Sequence, residues 1–154
     1  MDPELAQNLD EIIHLPGCIL VLAATAALTL AGCASTAPTP AQQQWMTARD
    51  QQPLTFIVPA EEADAAWSRA QEWIVRHAEH PLITATDTLL QTAVGQDDFD
   101  ASVSLTVNRA RLEDGSWRFD IVARTGNPLS GNRTWRVARA LAYYTASGIP
   151  YPAP

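Results

Sequence analysis

Two alternating runs meet at Asp114-Gly115, and they constrain the fold more than any other feature of the chain. Upstream, Val103, Leu105 and Val107 alternate with Ser102, Ser104, Thr106 and Asn108. Downstream, Trp117, Phe119, Ile121 and Ala123 alternate with Arg118, Asp120, Val122 and Arg124. A period of two sends the apolar set to one face of a strand and the polar set to the other. Asp-Gly supplies the left-handed backbone that a tight antiparallel turn needs, so the two runs predict a hairpin. Such a hairpin covers its apolar face with helices and leaves the other face to water.

The flanking segments supply the partners. Leu54-Thr55-Phe56-Ile57-Val58 is a short β-type run stopped by Pro59. Over Glu61–Glu79, Ala63, Trp67, Ala70, Ile74 and His77 or Ala78 recur at steps of three and four. That spacing predicts a helix with one apolar stripe and Trp73 at its edge, with Glu61, Glu62 and Asp64 favourable in its first turn and Pro81 beyond its end. Leu82–Val94 reads as one long strand or as two strands bent near Asp87-Thr88. A last helix runs to about Ser147, with Ser130 or Asn132 as its cap and Gly148 and Pro150 ending it; Trp135, Ala138, Leu141 or Ala142 and Thr145 form its stripe. The expected fold is α+β: a two-layer sandwich in the order β-α-β-β-β-α, with an antiparallel sheet of four or five strands and two helices on one face. In element order, over about Leu54–Ser147, this looks like the small periplasmic domains described as TATA-binding-protein-like. A shared fold by itself implies no activity.

The first third of the chain has a different character. Cys18–Leu30 is an uncharged run of apolar residues and Thr that leads into Leu30-Ala31-Gly32-Cys33. From Ile19 to Ala31 it falls short of the roughly 20 residues a spanning helix needs, but it suits a cleaved signal. The four residues resemble the lipobox of bacterial lipoproteins. The resemblance implies cleavage between Gly32 and Cys33, diacylglycerol on the Cys33 thiol and an acyl chain on its new amino group. Two such attachments hold a membrane far more firmly than a single chain. The next residue is Ala34 rather than Asp, which in proteobacteria implies transfer to the outer membrane rather than retention at the inner one, with the protein facing the periplasm.

Residues 1–32 are thus expected to be a signal peptide. Within them, Met1–Gly17 carries Asp2, Glu4, Asp10 and Glu11 and no Lys or Arg, unlike such signals, so the true start is expected downstream of Met1. Leu15-Pro16-Gly17-Cys18 has no apolar run before it and makes a poorer box. Residues 33–52 hold the lipidated cysteine and a flexible tether rich in Gln, with Pro38 and Pro40. Trp45 and Met46 are its odd apolar pair, expected to pack back on the domain, with a partner contact as the alternative. Residues 53–154 form the single periplasmic domain.

Charge narrows the function classes. The net formal charge is −7, but with the first four acids gone thirteen acids face ten Arg, and there is no Lys. A mildly acidic chain at a periplasmic address disfavours nucleic acid as a partner. Both cysteines precede the domain, which excludes a disulfide or a cysteine metal site within it.

Candidate chemistry is sparse. His77-Ala78-Glu79-His80 places two imidazoles three residues apart, but a zinc site needs three or four ligands and no third is evident, so no metal is assigned. Asp97, Asp98 and Asp100 lack the spacing of a calcium loop and read as a solvated turn. No nucleophile turn or Gly-rich phosphate loop occurs, and no catalytic residue or cofactor is assigned beyond the lipid expected on Cys33. Tyr143, Tyr144, Tyr151 and Trp117 read as core or surface aromatics, with a binding groove as the alternative.

The strongest candidate is a strip of Arg133, Arg136 and Arg139, to which Arg109, Arg111, Arg118 and Arg124 could add. Guanidinium groups there suit an acidic envelope protein, an anionic glycan or an anionic lipid headgroup. An ordinary solvated helix face is the plainer reading. The expectation is therefore a non-catalytic binding or envelope accessory module held on the membrane by its lipid, acting through the strip or the exposed sheet face. A purely structural lipoprotein and a metal-dependent hydrolase using His77 or His80 are the alternatives.

Overall fold

A computed structural model of the chain describes residues 37–95 and 101–153. The helices and strands of the described residues fall in one compact unit, Pro38–Pro154. In chain order they are α1 (Pro40–Gln51), β1 (Thr55–Val58), α2 (Ala63–His77), β2 (Leu82–Ala85), β3 (Leu89–Thr92), β4 (Ser104–Arg111), β5 (Trp117–Arg124) and α3 (Gly131–Ser147), with a short 3-10 turn at Pro128–Ser130 before α3. The expected signal segment, Cys33 and the three acids at 97, 98 and 100 lie outside the described residues.

The fold is a two-layer α+β sandwich. Its strands form one antiparallel sheet in the order β1-β5-β4-β3-β2. The β4–β5 hairpin is the longest pairing, in register from Ser104 opposite Arg124 to Arg111 opposite Trp117. Its turn closes where Leu112 N donates to Ser116 O (2.8 Å) and Gly115 takes φ +87°, the backbone the Asp-Gly pair predicted. Asp114 accepts from both the Ser116 amide (3.0 Å) and its hydroxyl (2.6 Å), and these bonds hold the carboxyl below the usual aspartate range.

Leu82–Val94 resolves as two strands. A pairing shift between Leu82 and Thr84 leaves Ile83 unmatched and exposed, a bulge on an edge strand. At the other edge β1 stops at Val58, since Pro59 cannot donate to a ladder.

The two edge strands β1 and β2 are consecutive strands of the chain, so α2 must cross the sheet between them. Five strands span about 19 Å at roughly 4.8 Å spacing. A helix of 15 residues is about 22 Å long at 1.5 Å per residue. Ala63, Ala66, Trp67, Ala70 and Ile74 are its buried stripe, packed over Leu90, Leu105, Val107, Phe119 and Ile121. Phe119 is fully buried, stacked on Phe56 and tilted against Trp67.

Helix α3 returns beside α2 and buries Ala138, Leu141, Ala142 and Thr145. Trp135, expected on this stripe, sits at its edge and is 42% exposed, with Arg139 stacked over its ring at 4.2 Å. Gly148 ends α3 with φ +72°. There Arg69 of α2 reaches across, donating from Nε to Thr145 O (2.9 Å) and capping carbonyls the helix leaves open. Ser130 precedes α3 without a side-chain capping bond, while Asn127 caps the 3-10 turn.

One correction concerns the tether. Pro40–Gln51, read as flexible from its Pro and Gln content, is a helix docked on α3. Thr39 accepts from the Gln42 amide (3.2 Å) and the Gln42 side chain accepts from the Thr39 amide (2.9 Å), a reciprocal capping box with Pro40 in the first turn. Trp45 is 7% exposed, lies edge-on to Tyr143 and Tyr151, and donates its indole N–H to Ile149 O (3.2 Å). Among the described residues no helix is long and apolar enough to cross a membrane.

Candidate functional site

The C-terminal half of α2 and the outward stripe of α3 flank a cleft of about 610 Å³. From α3, Arg133, Arg136, Val137, Ala140 and Tyr144 line it. Their spacing of three, four, seven and eleven makes one helical stripe beside the buried one. From α2 come Glu72, Trp73, Arg76 and His77. Val103 and Leu105, the residues entering β4, form the floor, and Trp45 and Arg49 of α1 join Pro150 and Tyr151 in one wall. Ala78 and Ala140 are the small residues of the lining, and larger side chains there would reduce its volume.

The charges are unevenly used. Arg133 pairs with Glu79 Oε1, while Glu79 Oε2 accepts from the Val103 amide (2.9 Å). Glu79 therefore joins the end of α2 to both α3 and the sheet. Arg76 pairs with Glu72 Oε1 (2.9 Å), and Glu72 Oε2 accepts from the Tyr144 hydroxyl (3.2 Å). Arg49 pairs with Asp50 (2.7 Å) and lies over the Trp45 ring. Among the described residues Arg136 has neither ion pair nor hydrogen bond, and it is exposed at the rim. Four guanidinium groups against two carboxylates leave the lining positive. Partial burial, then the bond to Glu72, pushes the Tyr144 phenol above its ordinary range.

The side chains of the three-arginine strip have different surroundings. Arg133 is engaged by Glu79, Arg136 faces the cleft, and Arg139 lies over Trp135 with its Nε buried and unpartnered among the described residues. A step of three turns each residue about 60° short of a full circle, which spreads the strip around the helix. Nor do the hairpin arginines extend it. Arg109 is buried between Trp67 and Trp117, and Arg118 is tied to Asp120 (2.9 Å) on the helix-free face. Arg124, together with Gln91, Thr106, Asn108 and Val122, borders a smaller depression of about 310 Å³ on that face.

The paired histidines are brought to different tasks. His77 ends α2 against Trp73, with ring centroids 5.2 Å apart, while His80 Nε2 lies 2.6 Å from the Ser102 hydroxyl. Among the described residues no three His, Cys, Asp or Glu side chains form a group that could hold a metal ion.

Of the candidate aromatics, Tyr144 and Tyr151 do line a groove, Tyr143 packs on Trp45, and Trp117 stacks on Arg109. Sequence reading missed Glu72, Arg76, Val137 and Ala140 as cleft residues. The signal was a second stripe on α3, offset from the apolar one and mixing Arg, Ala and Tyr.

Comparison with protein-family models, with characterised proteins and with solved structures finds no significant match to this chain.

Proposed function

We propose that the protein is a non-catalytic binding module, anchored at the periplasmic face of the outer membrane by lipid on Cys33, which holds its ligand in the cleft between α2 and α3. The observation that carries this reading is the unpaired Arg136 at the rim of a cleft with an apolar floor. Its volume of about 610 Å³ lies within the range of roughly 300–1,000 Å³ typical of ligand sites. Among the described residues of the lining, Glu72 and Glu79 have both oxygens engaged, and His77, packed against Trp73, is the one imidazole beside them, without a second acid or base free to work with it. The anchor rests on the lipobox resemblance at Leu30–Cys33.

A photoreactive phenylalanine in place of Tyr144, which keeps a ring in the lining and leaves Arg136 intact, tests the site in cells. The expected outcome is a discrete mass adduct that disappears with Ala140→Trp, and none from position 122 on the open sheet face. An adduct from 144 that Ala140→Trp leaves unchanged contradicts the cleft. Fatty-acid labelling that survives Cys33→Ala contradicts the anchor.

A further inference from the structure

Resting on the cleft as the binding site, we infer that its ligand is a free single-chain amphiphile with a carboxylate or phosphate head. The chain lies along Trp73, Ala78, Val137 and Ala140, with the buried Val103 and Leu105 beneath them, and the head meets Arg136. Two observations select this chemistry. The first is charge: the lining carries four guanidinium groups against two carboxylates, and Arg136 alone of the four has its donors uncommitted among the described residues. A guanidinium offers paired donors that match a carboxylate or phosphate.

The second is shape. Lining residues come from α1, α2, the start of β4, α3 and the segment after α3, so the apolar surface is concave and walled. A concave floor encloses one chain, whereas a bilayer surface is met by protruding apolar groups. The ligand is therefore a molecule that has left the bilayer. Trp45 and Tyr151, which pack edge-on at 5.0 Å, belong to the wall nearest α1.

The test titrates the full chain bearing Cys33→Ala, which removes its own lipid as a competitor, with dodecyl phosphate, dodecanoate and dodecyltrimethylammonium below their micelle concentrations. Binding is read by tryptophan fluorescence, since Trp45 and Trp73 line the cleft. Both anions are expected to bind at least tenfold more tightly than the cation, and each added methylene to tighten binding about fourfold until the cleft is full. Arg136→Glu, an exposed change that leaves the packing alone, should abolish the head-charge preference. Equal binding of anion and cation overturns the ligand class while the cleft stands. Anion binding that persists in a folded Ala140→Trp overturns the cleft itself. Capture by phosphatidylglycerol vesicles with no binding of monomeric amphiphile assigns the charge to a membrane surface and also overturns the proposal.

Discussion

The guanidinium carbon of Arg109 lies 4.7 Å from the ring centroid of Trp67, and the ring of Trp117 closes over it at 4.6 Å. Arg109 sits on β4 with a side chain 8% exposed, and it donates to Asp64 Oδ1 (2.9 Å), to Ala63 O (3.4 Å) and to Asp87 O. One side chain thus fastens the start of α2 and the β2–β3 turn to the centre of the sheet. Arg109→Met keeps the apolar stem but removes the charge-assisted bonds to Asp87 O and to the buried Ala63 O, while the exposed Asp64 carboxylate turns to water, and should lower unfolding free energy by about 1–3 kcal/mol. Arg109→Lys should recover only part of this, because an ammonium does not stack as a planar guanidinium does. Urea denaturation of the three proteins checks both values.

Helix α1 depends on one anchor. At 12 residues it is too short to persist alone in water, and its buried residues are Trp45 and Gln42, the latter donating to Pro152 O (3.4 Å). Trp45→Ala should therefore release α1 without unfolding the sheet. Amide exchange over residues 43–51 should lose its protection, while Leu90, Leu105 and Phe119 keep theirs.

Tyr144 gives the domain an alkaline limit. Its phenol is held above the ordinary tyrosine range, by burial first and then by the bond to Glu72. The folded state thus prefers the protonated form. That preference stabilises the fold fully below about pH 10, the unfolded value, and is lost as pH rises through the folded value. Thermal stability measured upward from about pH 9 should fall once pH passes about 10, and Tyr144→Phe should flatten part of the fall. An equal slope in the variant contradicts this assignment.

The Thr145 hydroxyl is buried on α3 and has no hydrogen-bond partner among the described residues. Thr145→Val exchanges the hydroxyl for a methyl of similar shape and removes a desolvated polar atom. An increase of about 1 kcal/mol is expected, read as a melting temperature a few degrees higher.

The sheet and its two covering helices were legible because each buries a single face, which leaves a periodic imprint: Val103, Leu105 and Val107 at period two, Trp67, Ala70 and Ile74 at helical steps. Helix α1 left a local signal, Thr39-Pro40-Ala41-Gln42, which fits a capping box. Its Gln-rich body carries almost no apolar stripe, so composition argued for a tether. The cleft was less legible still. It depends on which Arg finds a carboxylate, and the partners Glu79 and Arg133 are 54 positions apart. Arg139 is drawn away from the cleft for a local reason, since Trp135 lies four positions earlier and its ring takes the guanidinium.

The proposed entry of ligand between α2 and α3 is read by backbone and indole NMR shifts recorded while dodecyl phosphate is titrated into the Cys33→Ala chain. The largest changes are expected on Trp73, Val103, Leu105, Arg136, Val137 and Tyr144, with Thr106, Asn108 and Val122 on the opposite sheet face unmoved. Shifts concentrated on that opposite face, with the cleft residues silent, would contradict it.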